Sequence, residues 1–121
     1  MTAADRANTL GAQVIATLRA DMDPEAFPDI LEMFIIELSE RLKGIALALD
    51  TADHDSLARE AHSLKGMSAT IGARWLNDCA LALEMAARAD DDKAIAAEIP
   101  GLRPAAEETL KEMTALRDSL D

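Results

Sequence analysis

The chain has 121 residues, half of them hydrophobic, and a formal net charge of −11 at pH 7. This length suits a single domain with one core, and so acidic a chain repels phosphate backbones and anionic lipid, which argues against nucleic acid and membrane as partners. The apolar residues are mainly Ala, Leu, Ile and Met, with two Phe, one Trp and no Tyr, so the composition favours helices over strands.

The cysteine content and the N-terminal segment indicate in which cellular compartment the protein is found. The first residues lack the basic start and apolar run of a signal peptide, and no apolar stretch reaches membrane-spanning length. Cys79 is the only cysteine, so the chain cannot form an internal disulfide, and its apolar neighbours suit a small buried residue in a reducing compartment. These features predict a cytoplasmic protein.

Two helices are predicted in the first half of the chain. A short one covers about residues 9–20, with Leu10, Val14 and Leu18 on one side. Because Pro24 and Pro28 cannot both lie inside one helix, the second is predicted from about residue 28 to residue 49. Its apolar stripe consists of Leu31, Phe34, Ile35, Leu38, Leu42, Ile45 and Leu49.

Three more helices are predicted in the second half, over about residues 56–71, 73–89 and 102–119. Gly72 is placed to end the first of them, and the segment "IPGLRP" indicates a break before the last. Their apolar stripes consist of Leu57, Ala61, Leu64, Ser68 and Ile71 in the third helix, Leu76, Cys79, Ala80, Leu83 and Ala87 in the fourth, and Leu102, Ala106, Thr109, Leu110, Met113 and Leu116 in the last.

Four long amphipathic helices with short connections predict an all-α domain. The expected architecture is an antiparallel up-and-down four-helix bundle, with its core over about residues 28–119 and a short N-terminal helix as a cap. The whole chain, residues 1–121, is interpreted as this single domain.

The third predicted helix carries a histidine surrounded by small residues. His62 lies away from the apolar stripe, so its imidazole is expected to face solvent, and Ala58, Gly66 and Ala69 are its neighbours at helical spacing. Lys65 places a cation within reach of whatever the imidazole carries. A neutral imidazole is nucleophilic near physiological pH, and phosphoryl transfer needs unobstructed in-line access. The pattern therefore suits reversible phosphorylation of His62.

Gly66 is unusual inside a helix, where glycine costs about 1 kcal/mol relative to alanine. Close packing against another helix is one explanation. However, Gly66 projects to nearly the opposite side from Leu64 and Ile71, so the sequence favours a clearing that admits another molecule to His62. The second histidine, His54, falls in a predicted connection and is interpreted as an ordinary surface residue.

The segment "AHSLKGMSATIGA" resembles the phosphoacceptor motif of histidine-phosphotransfer (HPt) domains, in which histidine, any residue, an apolar residue, lysine and glycine precede a stretch of small residues. The resemblance extends upstream over "ILEMFIIELSERLKGIALALD" and downstream over "LNDCALALEMAA", which look like the flanking helices of that family. It thus covers most of the chain.

Carried over by position, the resemblance implies that His62 is phosphorylated on its outer ring nitrogen. It also implies that Lys65 supports the phosphoryl group and that Gly66 leaves room for it. Glu84 falls where the family often has a polar residue near the histidine, although a solvated glutamate on the helix face is an equal alternative. Ser68 is a further candidate for a supporting role. The predicted docking surface consists of Ala58, Arg59, Ala69 and Ala73.

The function that the resemblance implies is that of a phosphorelay carrier. His62 would accept a phosphoryl group from the aspartate of a receiver domain and pass it to another receiver. The expected partners are receiver domains of hybrid histidine kinases and response regulators, and the chain itself is expected to be a monomer. Mg²⁺ would be held by the receiver, so no cofactor and no metal site are expected in this chain.

Other classes of protein fit the sequence less well. A histidine kinase needs a nucleotide-binding domain with glycine-rich segments, and the five glycines here are scattered, so no autonomous kinase activity is expected. A di-iron bundle needs glutamate three residues before its histidines, where this chain has Thr51 and Arg59. The remaining alternative is a helical-bundle adaptor that binds a protein partner through the same patch without being phosphorylated.

Overall fold

The computed structural model describes residues 11–120, and over this range the chain is helical with no strand. The helices are α1 (Ala12–Ala20), α2 (Phe27–Asp50), α3 (His54–Thr70), α4 (Arg74–Arg88) and α5 (Asp92–Asp118). The four longer helices pack in a closed cycle, α2 on α3, α3 on α4, α4 on α5 and α5 on α2. The predicted all-α fold class is confirmed. None of the described helices is both long enough and apolar enough to cross a membrane.

The apolar stripes predicted for α2 to α5 form the core of this bundle. Every residue of those stripes is buried or partly buried against it, and Leu31, Leu64 and Leu83 are fully buried. Two polar members of the stripes, Ser68 and Thr109, are fully buried as well. Thr109 donates its hydroxyl to the carbonyl of Ala105, one turn back on its own helix, so its burial leaves no donor unpaired.

The side of α1 that meets the bundle differs from the prediction. Ile15 is its buried residue, whereas Val14 is 41% exposed and Leu18 is only partly buried. A short helix has few apolar positions, and its sequence does not say which of them will face the neighbouring helices. Residues 9 and 10 of the predicted helix lie outside the described residues.

The predicted start of the last helix is wrong. Helix α5 begins at Asp92 rather than near Leu102 and continues through Pro100 and Pro104. A proline inside a helix removes one backbone hydrogen bond and crowds the carbonyl four residues earlier. Because these two prolines are four residues apart, both fall on the same exposed face, where water can reach the carbonyls that they leave unpaired.

Three successive helices end in the same way. The residues Ala52, Gly72 and Asp90 follow α2, α3 and α4 with φ of 53°, 71° and 52°. At each end, two backbone N–H groups bond back to the last turn, as in a Schellman motif. At two of these ends the next residue, Asp53 or Asp91, then caps the following helix by accepting a backbone N–H with its carboxylate. This combination makes the connections short.

Gly72 also joins α1 to the bundle. A Cβ at this position would lie 3.0 Å from the Cα of Gly11 and 3.0 Å from the Cβ of Val14. Its positive φ and this close approach both require glycine. The residue that ends α3 therefore also positions the start of α1.

A cleft of about 320 Å³ lies between α2 and α5. Its lining is mostly apolar and includes Leu42, Leu49, Leu102 and Leu110. The contact between α2 and α5 is the least extensive of the four contacts in the cycle. The helix pair with the most extensive contact is α3 and α4, and this pair carries the predicted site.

Candidate functional site

His62 lies on α3 beside α4, with its side chain 60% exposed. Its Nδ1 is 3.0 Å from Oε2 of Glu84, which α4 places under the ring. Within residues 11–120, no side chain or backbone group bonds to Nε2. The structure thus holds the inner nitrogen of the ring and leaves the outer nitrogen accessible.

The carboxylate of Glu84 is the centre of the site. Its side chain is only 7% exposed, and one oxygen, Oε1, lies 3.0 Å from Nζ of Lys65. The other oxygen, Oε2, accepts hydrogen bonds from Nε and Nη2 of Arg88 at 3.0 and 2.7 Å, in addition to its contact with His62. Of the two interpretations of Glu84 that the sequence left open, the solvated helix-face residue is excluded by this burial.

The surroundings of Glu84 keep it ionised. Burial alone would raise its pKa, but the hydrogen bonds from Arg88 and the contacts with Lys65 and His62 outweigh burial and lower the pKa to about 2. An ionised carboxylate can only accept hydrogen bonds, so the proton in the contact with His62 belongs to Nδ1. In the neutral ring, Nε2 then carries the free lone pair.

Asn77 fixes α4 against α3 one turn from the histidine. Its Nδ2 donates to the backbone carbonyl of Lys65 at 2.8 Å, and the hydroxyl of Ser68 donates to the same carbonyl at 2.9 Å. Ser68 is completely buried and faces α4 and the core. Its contact is therefore with the backbone of Lys65, one turn from the histidine, and not with the imidazole itself.

Gly66 lies on the open side of the site. In the part of the chain that the structure describes, a Cβ on Gly66 would have no side chain or neighbouring helix within 4 Å. Close helix packing is therefore not the reason for this glycine. Its carbonyl accepts the hydroxyl of Thr70, a contact within the same helix.

Two residues of the predicted docking surface are not on the surface. Ala58 is 3% exposed and Ala73 is fully buried, so neither can contact a partner. Ala58 belongs to the buried face of α3, and Ala73 lies in the short connection that follows Gly72. Arg59 and Ala69 are exposed.

His54 is not the unattached loop residue that the sequence suggested. It is the first residue of α3, its side chain is 20% exposed, and its Nδ1 and Nε2 lie 3.0 and 2.9 Å from the carboxylates of Asp90 and Asp92. The hydrogen bond with Asp90, with a further contribution from Asp92, raises the pKa of His54. Both ring nitrogens are occupied, so His54 is unsuited to act as a nucleophile.

Sequence reasoning missed Arg88 and Asn77. Arg88 follows Glu84 by four residues, and that spacing is a known signal for an ion pair on one helix. Asn77 has no such signal, because its contact with Lys65 joins two helices. No cluster of His, Cys, Asp and Glu suited to hold a metal ion occurs among residues 11–120.

Comparison with known proteins gives two matches. A family model described as "Hpt domain" matches residues 29–120. The crystal structure of histidine-containing phosphotransfer protein B (HptB) from Pseudomonas aeruginosa PAO1 is similar to this chain, with 28% sequence identity and a TM-score of 0.86. The match covers 92% of this chain and 96% of that one. The comparison with curated proteins gives no match.

Proposed function

The chain belongs to the Hpt domain family and is a histidine phosphotransfer protein of phosphorelays, and we propose that His62 is the residue that carries the phosphoryl group. One observation supports this assignment above all. The ring of His62 is exposed, its Nδ1 is held by the buried carboxylate of Glu84, and its Nε2 faces outward. The other histidine, His54, has both nitrogens bound by aspartates.

The reaction that follows from this geometry is a reversible exchange of two bonds. The lone pair on Nε2 attacks the phosphorus of an aspartyl phosphate on a receiver domain, an N–P bond forms, and the P–O bond breaks with its electron pair leaving on the aspartate. The proton on Nδ1 stays in place, so the ring gains a positive charge. Glu84, 3.0 Å from Nδ1, stabilises that charge. Transfer to a second receiver is the same step in reverse.

The neighbours of His62 have separate roles in this proposal. Lys65, with Nζ already at the edge of the site, offsets the charge of the phosphoryl group. Gly66 leaves the space that the group and the approaching receiver occupy. The docking surface extends from the exposed residues Arg59 and Ala69 of α3 onto α4.

Two apolar residues of α4 take the place of Ala58 and Ala73 in this surface. Leu81 and Met85 are 41% and 64% exposed. Leu81 precedes Glu84 by three residues and Met85 by four, so the two side chains share the side of α4 that borders the site. Exposed apolar groups at this position suit the hydrophobic part of a protein interface.

Receiver domains are the partners of the family, and for this chain we propose the receivers of hybrid histidine kinases and response regulators. The Mg²⁺ needed for transfer would be bound by the receiver, with no cofactor in this chain and no autonomous kinase activity. The short connections between α2, α3, α4 and α5 support an antiparallel up-and-down bundle with α1 as its cap. A cytoplasmic monomer is the form that we propose.

The test is phosphoryl transfer from a labelled receiver domain to His62→Gln, with His54→Gln as the matched control. The wild-type chain and His54→Gln are expected to accept label, and His62→Gln is expected to accept none while keeping its helical circular dichroism. Label on His62→Gln would contradict the assignment. A wild-type chain that binds receivers but never accepts label would be an adaptor.

A further inference from the structure

Arg88 and His62 bind the same oxygen atom. Oε2 of Glu84 accepts two N–H groups from Arg88, at 3.0 and 2.7 Å, and one from Nδ1 of His62, at 3.0 Å. Lys65 contacts the other oxygen, Oε1, at 3.0 Å. The carboxylate that orients the histidine is therefore shared with two cations.

In the proposed reaction, the carboxylate of Glu84 has two opposing effects on His62. A carboxylate next to an imidazole holds Nδ1–H in the useful tautomer, but it also attracts a second proton to the ring. A ring protonated on both nitrogens has no lone pair on Nε2 and cannot attack phosphorus. A site that uses Glu84 to orient His62 thus needs a way to limit the negative charge that the ring experiences.

We propose that Arg88 is a positioning residue that acts through Glu84: its two N–H groups offset the charge on Oε2, so that this oxygen orients Nδ1–H without drawing a second proton onto Nε2. The inference rests on the proposed function of His62. Arg88 suits this role because its guanidinium bonds the oxygen that faces the ring, whereas the ammonium of Lys65 is on the other oxygen.

Few charged groups among residues 11–120 face His62. Helix α4 contributes Glu84 and Arg88. Helix α3 itself contributes Lys65 and, three residues before His62, Arg59, whose guanidinium donates to the hydroxyl of Ser56. The ion pair between Arg41 and Glu60 lies where α3 packs on α2, away from α4. Removing Arg88 therefore changes the charge balance around Glu84 in a defined direction, because only Lys65 remains of the two cationic side chains that contact the carboxylate.

The experiment measures the pH dependence of two properties in Arg88→Gln. The first is ring protonation of His62, followed by ¹⁵N nuclear magnetic resonance of the unphosphorylated protein. The second is the rate of phosphoryl acceptance from a labelled receiver. We expect the midpoint of ring protonation to move to higher pH by about half a unit or more, and the acidic limb of the rate profile to move with it. Arg88→Lys, which restores the charge with one ammonium, should move both part of the way back.

Two further variants make the test specific. Arg103→Gln removes the same charge from α5 at the cleft with α2, and it should leave the midpoint unchanged. In a Glu84→Gln background, Arg88→Gln should shift the midpoint much less, since the carboxylate through which it acts is gone.

An unchanged midpoint in Arg88→Gln would overturn the proposal, even if the variant melts at a lower temperature, because a structural role at the end of α4 predicts only the melting change. An equal shift in the Glu84→Gln background would also overturn it, by showing that Arg88 acts on the ring directly. The resonance measurement needs no receiver. If Arg88→Gln moved the midpoint as expected but the wild-type chain accepted no phosphoryl group, the function proposed for His62 would be contradicted instead.

Discussion

Gly66 leaves one side of His62 uncovered, while Glu84 occupies the other. Transfer of a phosphoryl group needs open space beside the histidine and a fixed orientation of its ring. Gly66 leaves the space, and Glu84 fixes the orientation. The open space around Gly66 is larger than one methyl group, because a Cβ there would meet no neighbouring side chain within 4 Å in the described part of the chain. Substitutions at Gly66 should therefore affect stability differently from substitutions at a glycine that is packed against a neighbouring helix.

Substitutions at Gly66 should separate stability from transfer. Gly66→Ala is expected to stabilise the fold by up to about 1 kcal/mol, because alanine favours the helix and finds no clash. Gly66→Leu should keep the melting temperature within a few degrees of wild type but slow phosphoryl transfer at least about tenfold, since a larger side chain enters the space beside His62. Thermal melts and transfer from a labelled receiver measure the two effects.

Gly44 provides the matched control for this pair of substitutions. A Cβ on Gly44 would lie 2.5 Å from the carboxylate of Glu60, which pairs with Arg41 across α2 and α3. Gly44→Ala should therefore displace Glu60 and gain less stability than Gly66→Ala, with no effect on transfer. A strongly destabilised Gly66→Leu, or one that transfers at the wild-type rate, would contradict the role given to Gly66.

At the scale of single residues, the sequence could predict a contact only where that contact stays within one helix. The helix period placed His62, Lys65 and Gly66 on the exposed side of α3. It could not show that Ala58 is buried, because that burial depends on how closely the neighbouring helices approach α3. For the same reason, the sequence left Glu84 undecided between a solvated residue and a partner of the histidine.

At the scale of secondary-structure elements, the connections that follow α2, α3 and α4 share one backbone conformation. Ala52, Gly72 and Asp90 occupy equivalent left-handed positions, but only Gly72 is a glycine. An L-residue in this conformation costs about 1–2 kcal/mol. The chain tolerates that strain at Ala52 and Asp90, where the next aspartate immediately caps the following helix.

Ala52→Gly is therefore expected to stabilise the protein by about 0.5–1 kcal/mol, because the strain that it removes exceeds the freedom that glycine adds to the unfolded chain. Chemical denaturation measures the change. Ala46→Gly, at an exposed position inside α2, is the control and should destabilise by about 1 kcal/mol. If Ala52→Gly lost stability as Ala46→Gly does, the positive φ at Ala52 would not be a source of strain.

The prolines of α5 show why the boundary of one element was predicted wrongly. Proline normally ends a helix, and that rule correctly placed the start of α2 next to Pro28, which lies in its first turn. Pro100 and Pro104 obey the same chemistry, but their exposed face and the apolar contacts of Ile95 and Leu102 on the opposite face keep α5 continuous. The sequence contains the spacing of four residues, but not the packing that compensates for the lost hydrogen bonds.

For the molecule as a whole, His54 joins two connections that are far apart in sequence. It begins α3, just after the connection from α2, and its ring contacts Asp90 and Asp92, which flank the start of α5. The sequence did not indicate this link, because it spans 36 residues. The charge on His54 determines how strongly the link holds.

His54→Gln should reveal a dependence of stability on pH. Because the folded-state pKa of His54 is raised, its contribution is fully present below about pH 6.5, its unfolded value, and is lost as the pH rises through the folded-state value. The melting temperatures of wild type and His54→Gln should therefore differ more at pH 6 than at pH 9.

Lys93→Gln, which removes a positive charge next to Asp92, is the control. Lysine does not titrate in this interval, so its difference from wild type should be the same at both pH values. A gap for His54→Gln that is constant between pH 6 and 9, or wider at pH 9, would contradict the assigned role of His54.

The cleft between α2 and α5 affects where the bundle opens locally. Local opening is favoured where packed elements share the least contact, and among the four long helices we expect it at the seam between the first and the last of them. Fluctuations that part α2 from α5 leave α3 and α4 joined by their more extensive contact and by the hydrogen bond from Asn77 to Lys65. Helices α2 and α5 can therefore separate locally while His62 and Glu84, on the α3–α4 side of the bundle, keep their alignment.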